Sequence, residues 1–216
     1  MKAKDIVIVG TGGLAREVKG LIDDINQHEN QWNLLGFIDN WGKQKGDVII
    51  DDKSVVGTIG DLNKMAGEIH VTIAIAGKIA WKKEAISLIT NPNVQFPNLI
   101  HPSALIRQDI KTGKGNIICS YSTMSCNVTI GDFNFFNSYY SVGHDAQIGS
   151  YNVFGPKAII SGNVTIGSDN FFGLNSSVLE GKSIGNNNRI GACSFIMRNV
   201  KDDCFYFGVP AKRMKI

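Results

Sequence analysis

From Ile100 onward, every sixth residue is apolar with one exception. The series runs Ile100, Ile106, Thr112, Ile118, Met124, Ile130, Phe136, Val142, Ile148, Phe154, Ile160, Ile166, Phe172, Val178, Ile184, Ile190 and Ile196, and only Thr112 breaks it. A fixed short period held this long marks a repeat fold, because one repeat can bury its apolar side chain only against its neighbours. A longer period lies on top: Ile130-Gly131, Ile148-Gly149, Ile166-Gly167 and Ile184-Gly185 recur every 18 residues. Three hexapeptides per coil predict a triangular prism with one short strand on each face and the apolar residue of each hexapeptide pointing inward. The residue four places later is often small, as at Ala146, Ala158, Ser176 and Ser194, which suits a tight corner. Gly, Asn and Asp cluster around the corners, in Gly131-Asp132, Gly167-Ser168-Asp169-Asn170 and Gly185-Asn186-Asn187-Asn188. These residues tolerate the positive φ that tight turns need.

Residues 1–96 have a different grammar. Ile6-Val7-Ile8-Val9 reads as a buried strand ended by Gly10-Thr11-Gly12-Gly13. Apolar residues at 14, 18, 21, 22 and 25 have helical spacing over Leu14 to Ile25. Leu34 to Ile38 reads as a second strand closing on Asp39-Asn40, residues 41 to 56 as a loop, and Asp61 to Ala66 as a short helix. Val71 to Ala76 reads as a third strand and Trp81 to Ile89 as a helix. The β-α-β-α-β-α order predicts a small parallel sheet with helices on its faces. The expected organisation is therefore an α/β Rossmann-like domain over 1–96 and an all-β parallel helix with a C-terminal tail over 97–216.

Net charge is +3 over 216 residues, which leaves no electrostatic footprint for nucleic acid. Basic residues gather weakly at Lys212, Arg213 and Lys215. The four cysteines, Cys119, Cys126, Cys193 and Cys204, form no C-x-x-C pair, so they read as buried or idle thiols of a reducing compartment. No apolar run is long enough for a signal-peptide core or a membrane span. A soluble cytoplasmic protein with no metal is expected.

Five segments carry a resemblance that covers nearly the whole chain: Gly10-Thr11-Gly12-Gly13-Leu14-Ala15-Arg16-Glu17, Gly36-Phe37-Ile38-Asp39-Asn40, Asn98-Leu99-Ile100-His101-Pro102-Ser103-Ala104, Gly143-His144-Asp145-Ala146-Gln147-Ile148-Gly149 and Gly208-Val209-Pro210-Ala211-Lys212-Arg213-Met214. In these the chain resembles the bacterial hexapeptide-repeat sugar acetyltransferases, which include UDP-4-amino-sugar N-acetyltransferases and the sialic acid O-acetyltransferase-like group. The resemblance implies a left-handed β-helix, acetyl-CoA as co-substrate, a nucleotide-sugar acceptor and a homotrimer whose subunits share the cofactor groove and the base.

Acetyl transfer to an amine or hydroxyl needs a base near neutral pH, and histidine is the usual choice. The chain has four: His28, His70, His101 and His144. His28 and His70 lack a motif, and His101 beside Pro102 suits a turn or packing role. His144 stands where the resemblance places the catalytic base, and Asp145 where it places a carboxylate that supports it. Adjacent residues on a strand point to opposite faces, so Asp145 reaches the ring only if the chain turns there. By resemblance the Gly162 amide meets the oxyanion and the thioester end of the cofactor, and Gly173, Leu174, Gly191 and Ala192 line the pantetheine groove. Arg198, Lys212 and Arg213 are cations suited to the phosphates of CoA. Gly12, Gly13, Leu14, Asp39 and Asn40 match contacts to the nucleotide part of a UDP-sugar. After the third strand the chain reads Ala76-Gly77-Lys78, where the UDP-4-amino-sugar enzymes have Gly then Asn.

Other readings compete. Gly10-x-Gly12-x-x-Ala15 after a strand, with Asp39 ending the next, also satisfies a loose dinucleotide fingerprint, but the repeat half offers no hydride-transfer site. A γ-type carbonic anhydrase needs three metal histidines, and the repeat half holds only His101 and His144. N-acetylation of a UDP-4-amino sugar is the expected activity; sugar O-acetylation of the sialic acid type and non-catalytic nucleotide-sugar binding are the alternatives.

Overall fold

A computed structural model describes residues 3–215. The chain divides into two compact units after Pro102, six residues beyond the expected change at 96. The later division follows from Leu99–Ile100, which packs against the first helix. Leu99 is fully buried and Ile100 is 38% exposed, so Ile100 is not the first inward residue of the repeat series.

The first unit is a six-stranded sheet in the order β3-β4-β2-β1-β5-β6. Its elements are β1 (Lys4–Val9), α1 (Gly13–His28), β2 (Trp32–Ile38), β3 (Val48–Ile50), β4 (Lys53–Gly57), α2 (Ile59–Leu62), β5 (Ile69–Ile73), α3 (Ile79–Leu88) and β6 (Val94–Gln95). All pairings are parallel except β3 with β4. Ile6 to Val9 are fully buried in the central strand, as a continuous apolar run in a parallel sheet requires. α1 buries Ala15, Val18, Leu21, Ile22 and Ile25, the stripe its spacing predicts.

The expected loop over 41 to 56 instead contains β3 and β4. Val48 pairs with Ser54 and Ile50 with Lys53 across a turn at Asp51 (φ +52°), and Val55 of β4 pairs with Phe37, which extends the sheet beside β2. The short helix begins before Asp61 because Thr58 and Asp61 form a reciprocal capping box that fixes its start.

The second unit is a parallel β-helix with three faces. The first carries two-residue strands at 117–118, 135–136, 153–154, 171–172 and 189–190, the second at 105–106, 123–124, 141–142, 159–160, 177–178 and 195–196, and the third at 111–112, 129–130, 147–148, 165–166 and 183–184. Strands pair with residues 18 places on, as Ile130 with Ile148 and Phe136 with Phe154. The inward series is buried from Ile118 to Ile196. Phe136, Phe154 and Phe172 stack at centroid spacings of 5.0 and 4.8 Å. Thr112 is exposed near the start of the prism, where a polar side chain costs little.

A second ladder escapes the apolar pattern. Asn116, Asn134, Asn152, Asn170 and Asn188 are all buried and 18 residues apart. Asn152 Oδ1 accepts from the Asn170 amide N–H at 2.9 Å, and Asn152 Nδ2 donates to Gly167 O at 2.9 Å. Cys204 N–H closes the ladder on Asn188 Oδ1 with an offset of 16, so the last coil is two residues shorter.

Asn152→Ala orphans the buried Asn170 N–H and the half-buried Gly167 carbonyl, at up to about 1–3 kcal/mol each. Denaturant titration should show stability lowered by up to roughly 2–6 kcal/mol, against about 0.5 kcal/mol or less for Thr165→Ala on the exposed third face. Equal small effects would show that the ladder is not structural.

Candidate active site

His144 lies on the prism edge between the second and third faces, just after the strand 141–142. Every sixth residue along these edges from Gly115 to Cys193 has positive φ. On this edge they are Asn127 (+55°), Asp145 (+58°), Asn163 (+59°) and Gly181 (+68°). The left-handed turn at Asp145 is what swings its carboxylate back to the preceding residue, and His144 Nδ1 stands 2.8 Å from Asp145 Oδ2. The other oxygen, Oδ1, accepts from Asn127 Nδ2 at 2.6 Å one coil away. Asn127 is in turn fixed by its own N–H, which donates to Asp109 Oδ2 at 2.7 Å.

These bonds hold the Asp145 carboxyl below the ordinary value of 3.8, the Asn127 amide contributing most and His144 next. The carboxylate is thus ionised at neutral pH and clamped from both sides. Its partner nitrogen fixes the imidazole orientation and leaves Nε2 for chemistry. The His144 side chain is 52% exposed, so a substrate can reach it.

Gly162 sits one coil along, directly against the ring. A Cβ there would lie 2.6 Å from His144 Nε2 and 2.7 Å from Cε1. The backbone bonds of this corner run from Ser161 N–H to Val178 O and from Asn163 N–H to His144 O. The Gly162 N–H between them takes no backbone acceptor among the described residues. With the ring held in this place by Asp145, any side chain at 162 would require it to move.

Gly173, Leu174, Gly191 and Ala192 stand elsewhere, on the edge between the first and second faces, where they follow the strands 171–172 and 189–190. Leu174 is 53% exposed, and a Cβ on Gly173 would meet Ala192 N at 2.5 Å. The structure therefore separates the two groups of residues onto different edges of one prism. Arg198, Lys212 and Arg213 do converge, around a cavity of about 550 Å³ shared with Met197, Asn199 and Tyr206.

The α/β unit has its own cavity, of about 290 Å³, at the carboxyl ends of β1, β2 and β5. It is lined by Gly10, Thr11, Gly12, Asp39, Trp41, Ala74, Ile75, Gly77, Lys78 and Trp81. This is the crevice where open parallel sheets bind ligands. Gly10 takes φ +113° and passes so close to β5 that a Cβ would lie 2.9 Å from Ala74 O. Gly12 is the N-cap of α1 and offers no side chain to its first-turn N–H groups. Gly13 and Leu14 follow in that first turn. Asp39 is buried; its Oδ2 accepts from Thr11 Oγ1 at 2.5 Å and its Oδ1 from Trp41 N–H at 2.6 Å. It therefore staples two rim loops together, whereas a dinucleotide fingerprint would use this acid on a ribose. Asn40 is turned to α2, where its Oδ1 accepts from Ile59 N–H at 2.8 Å.

Sequence reasoning missed Asn127, Trp41 and Trp81, and noted Lys78 only as a departure from the UDP-4-amino-sugar enzymes. Asn127 could have been found as the residue 18 places before Asp145. The tryptophans and Lys78 carry no periodic signal; Lys78 and Trp81 meet at the start of α3, and the sheet brings Trp41 to them. Of the other histidines, His70 is buried against Trp32 and His101 Nε2 lies 3.2 Å from Asp24 Oδ2. Among the described residues no three His, Cys, Asp or Glu side chains gather as a metal site, and no helix is long and apolar enough to cross a membrane. All four cysteines are free thiols, with Cys126 and Cys193 exposed.

Residues 5–86 match the family model of the PglD N-terminal domain. Comparison with curated protein sequences finds no match. Among solved structures, the chain is similar to PerB from Caulobacter crescentus in complex with CoA and GDP-perosamine, with a TM-score of 0.86, 24% identity and 99% of each chain covered. It is similar to the acetyltransferase domain of PglB from Neisseria gonorrhoeae in complex with acetyl coenzyme A, with a TM-score of 0.86 and 20% identity over 99% of this chain and 100% of that one. WeeI from Acinetobacter baumannii matches with a TM-score of 0.86 and 24% identity over 98% of this chain and all of its own. The shared fold is an α/β unit followed by a left-handed β-helix of the hexapeptide-repeat type.

Removing Asn127 or the Asp145 charge gives a direct check on the clamp. Asp145 has a folded pKa below its unfolded one, so it adds stability above the ordinary carboxylate range and loses it as pH falls through the lowered value. Wild type should be more stable than Asp145→Asn at neutral pH, and the two should converge in acid. Carboxyl NMR titration of Asn127→Ala should show the Asp145 pKa returning toward 3.8; an unchanged value would mean that Asn127 does not hold it.

Proposed function

We propose that this chain is an acetyl-CoA-dependent N-acetyltransferase acting on a nucleotide-linked amino sugar, with His144 as general base. The observation that carries the reading is the His144–Asp145–Asn127 chain of bonds against the backbone of Gly162. His144 Nε2 takes a proton from the acceptor amine as its nitrogen attacks the thioester carbonyl carbon. The C–N bond forms, the C–S bond breaks, and the leaving CoA sulfur is protonated by the imidazolium. Asp145 stabilises that imidazolium, and the Gly162 N–H stabilises the oxyanion between the two steps.

The cofactor reading rests on the glycine-rich edge at Gly173, Leu174, Gly191 and Ala192, with Arg198, Lys212 and Arg213 as the cations for CoA phosphates. That edge is not the edge of the base, which supports a homotrimer in which one subunit's base faces its neighbour's groove. The nucleotide part of the acceptor is assigned to the α/β crevice at Gly12, Gly13, Leu14 and Asp39, with Asn40 shaping its rim. A UDP-linked 4-amino sugar in a cytoplasmic polysaccharide route is the finer expectation.

Free-CoA release from acetyl-CoA should require an amino-sugar nucleotide and should fall by roughly 10²–10⁴-fold in His144→Ala, the usual worth of a general base. Release with hydroxyl acceptors only would overturn N-acetylation in favour of O-acetylation. Nucleotide-sugar binding without acetyl-CoA binding would leave a non-catalytic binding protein.

Co-expression tests the shared site. Subunits carrying His144→Ala alone and Leu174→Trp alone should each be inactive, and mixed assemblies should regain part of the activity. No recovery in verified mixed assemblies would confine the whole site to one chain.

A further inference from the structure

The cavity of the α/β unit is built for more than a nucleoside. Two helices begin on it: α1 at its N-cap Gly12 and α3 at its N-cap Lys78, and neither cap side chain bonds its own helix end. α1 has no acid in its first turn, and neither has α3. Each start presents first-turn N–H groups and the positive end of a helix dipole. Asp39, the single acid on the lining, has one oxygen bonded by Thr11 Oγ1 and the other by the Trp41 N–H, so both are drawn toward the rim loops. The one cation on the lining is Lys78. Its Nζ lies 3.8 Å from the ring centroid of Trp81, a residue that also lines the cavity and is 46% exposed. Lys82, one turn further along α3, is 2% exposed and does not line the cavity.

A flexible lysine on a rim is normally spread over many rotamers. Here a cation–π contact keeps the ammonium at the crevice, next to two helix starts, in a wall whose other polar side chains, Thr11 and Asp39, are bonded to each other. That combination suits two adjacent negative groups and is wasted on an uncharged ligand. We propose that Lys78, positioned by Trp81, is a specificity-determining residue that reads the diphosphate of the acceptor, so that the crevice selects nucleoside diphosphates over nucleosides and monophosphates. Trp41, 41% exposed on the opposite rim loop and fixed by Asp39, supplies a flat surface for the base. This rests on the reading of the crevice as a nucleotide site. It deepens that reading by excluding monophosphate-linked and free sugars as acceptors.

Trp41 and Trp81 make binding visible as a change in tryptophan fluorescence, with calorimetry as the independent readout. The full-length protein is titrated with UDP, GDP and dTDP and with the matching monophosphates and nucleosides. At least one diphosphate should bind more than tenfold tighter than its monophosphate, and added salt should narrow the gap. Lys78→Met should weaken the diphosphate by roughly 10–100-fold, the range for a charge-assisted hydrogen bond, and the nucleoside by less than about threefold. Lys78→Arg should restore most of the loss. Trp81→Leu should reproduce part of the Lys78→Met effect on the diphosphate, with folding checked by circular dichroism. Diphosphate binding by wild type that Lys78→Met leaves intact would overturn the assignment of Lys78 and spare the nucleotide site. Failure of wild type to bind any of these ligands would overturn the nucleotide reading and this inference with it, while His144-dependent acetyl transfer could still be scored separately.

Discussion

The β-helix stands on one constraint, that each coil's backbone is satisfied by the next coil and by little else. Gly113, Gly131, Gly149 and Gly167 each donate N–H to the carbonyl 17 residues on, at Ile130, Ile148, Ile166 and Ile184, all at 2.8 Å. The positive-φ residues donate the other way, as Phe133 to Lys114 O, Tyr151 to Asp132 O and Asp169 to Ser150 O. Two-residue strands have too few bonds to stand alone, so register is enforced by the sum over the stack. A single inserted residue would turn every inward side chain of its coil away from the core. The buried asparagines lock the same register a second time, because each spans the gap between coils with a side-chain amide.

That constraint also explains how His144 and Asp145, neighbours in sequence, come to bond side chain to side chain. A flat strand would have sent Asp145 away from His144. The repeat demands a left-handed residue at every edge, and at this edge it falls on Asp145. The same demand places Tyr121, Phe133, Tyr139 and Tyr151 in that conformation, which costs an L-residue about 1–2 kcal/mol each. Stacking offsets part of that cost, with Tyr121 on Tyr139 at 5.1 Å and Phe133 on Tyr151 at 5.6 Å. The expectation that Gly, Asn and Asp would hold the turns was therefore too narrow: the coil ladder selects the backbone conformation, and the side chain follows.

What could be read from the sequence divides along the same line. The β-helix, its inward residues and its coil length follow from a period of six because the physics of stacking is itself periodic. His144 and Asp145 stood out through flanking residues. The end of the solenoid did not, because the last coil is two residues shorter and the sixfold count fails after Ile196. The α/β crevice was half legible. Gly12 and Asp39 lie in local motifs, but Trp41 follows β2 while Lys78 and Trp81 open α3 after β5, and only the strand order β2-β1-β5 brings these two segments together. The hairpin of β3 and β4 was hidden for a related reason: its runs are short, and their pairing is decided by the sheet edge beside β2 rather than by local propensity.

In a repeat fold, function is written in the rungs that do not repeat. Positions 127, 145, 163 and 181 hold Asn, Asp, Asn and Gly, all suited to one backbone shape. The rung beside them, at 126, 144, 162 and 180, holds Cys, His, Gly and Glu, which share nothing chemically. The scaffold does not dictate that rung, so its residues are free to serve chemistry. Once His144 occupies it, the next coil is constrained: with the ring held by Asp145, it fills the space a Cβ at 162 would need. The Gly162 N–H beside that ring takes no backbone acceptor among the described residues. On the proposed reading, one histidine thus bears on two parts of the site, the base by its own ring and the amide donor beside it.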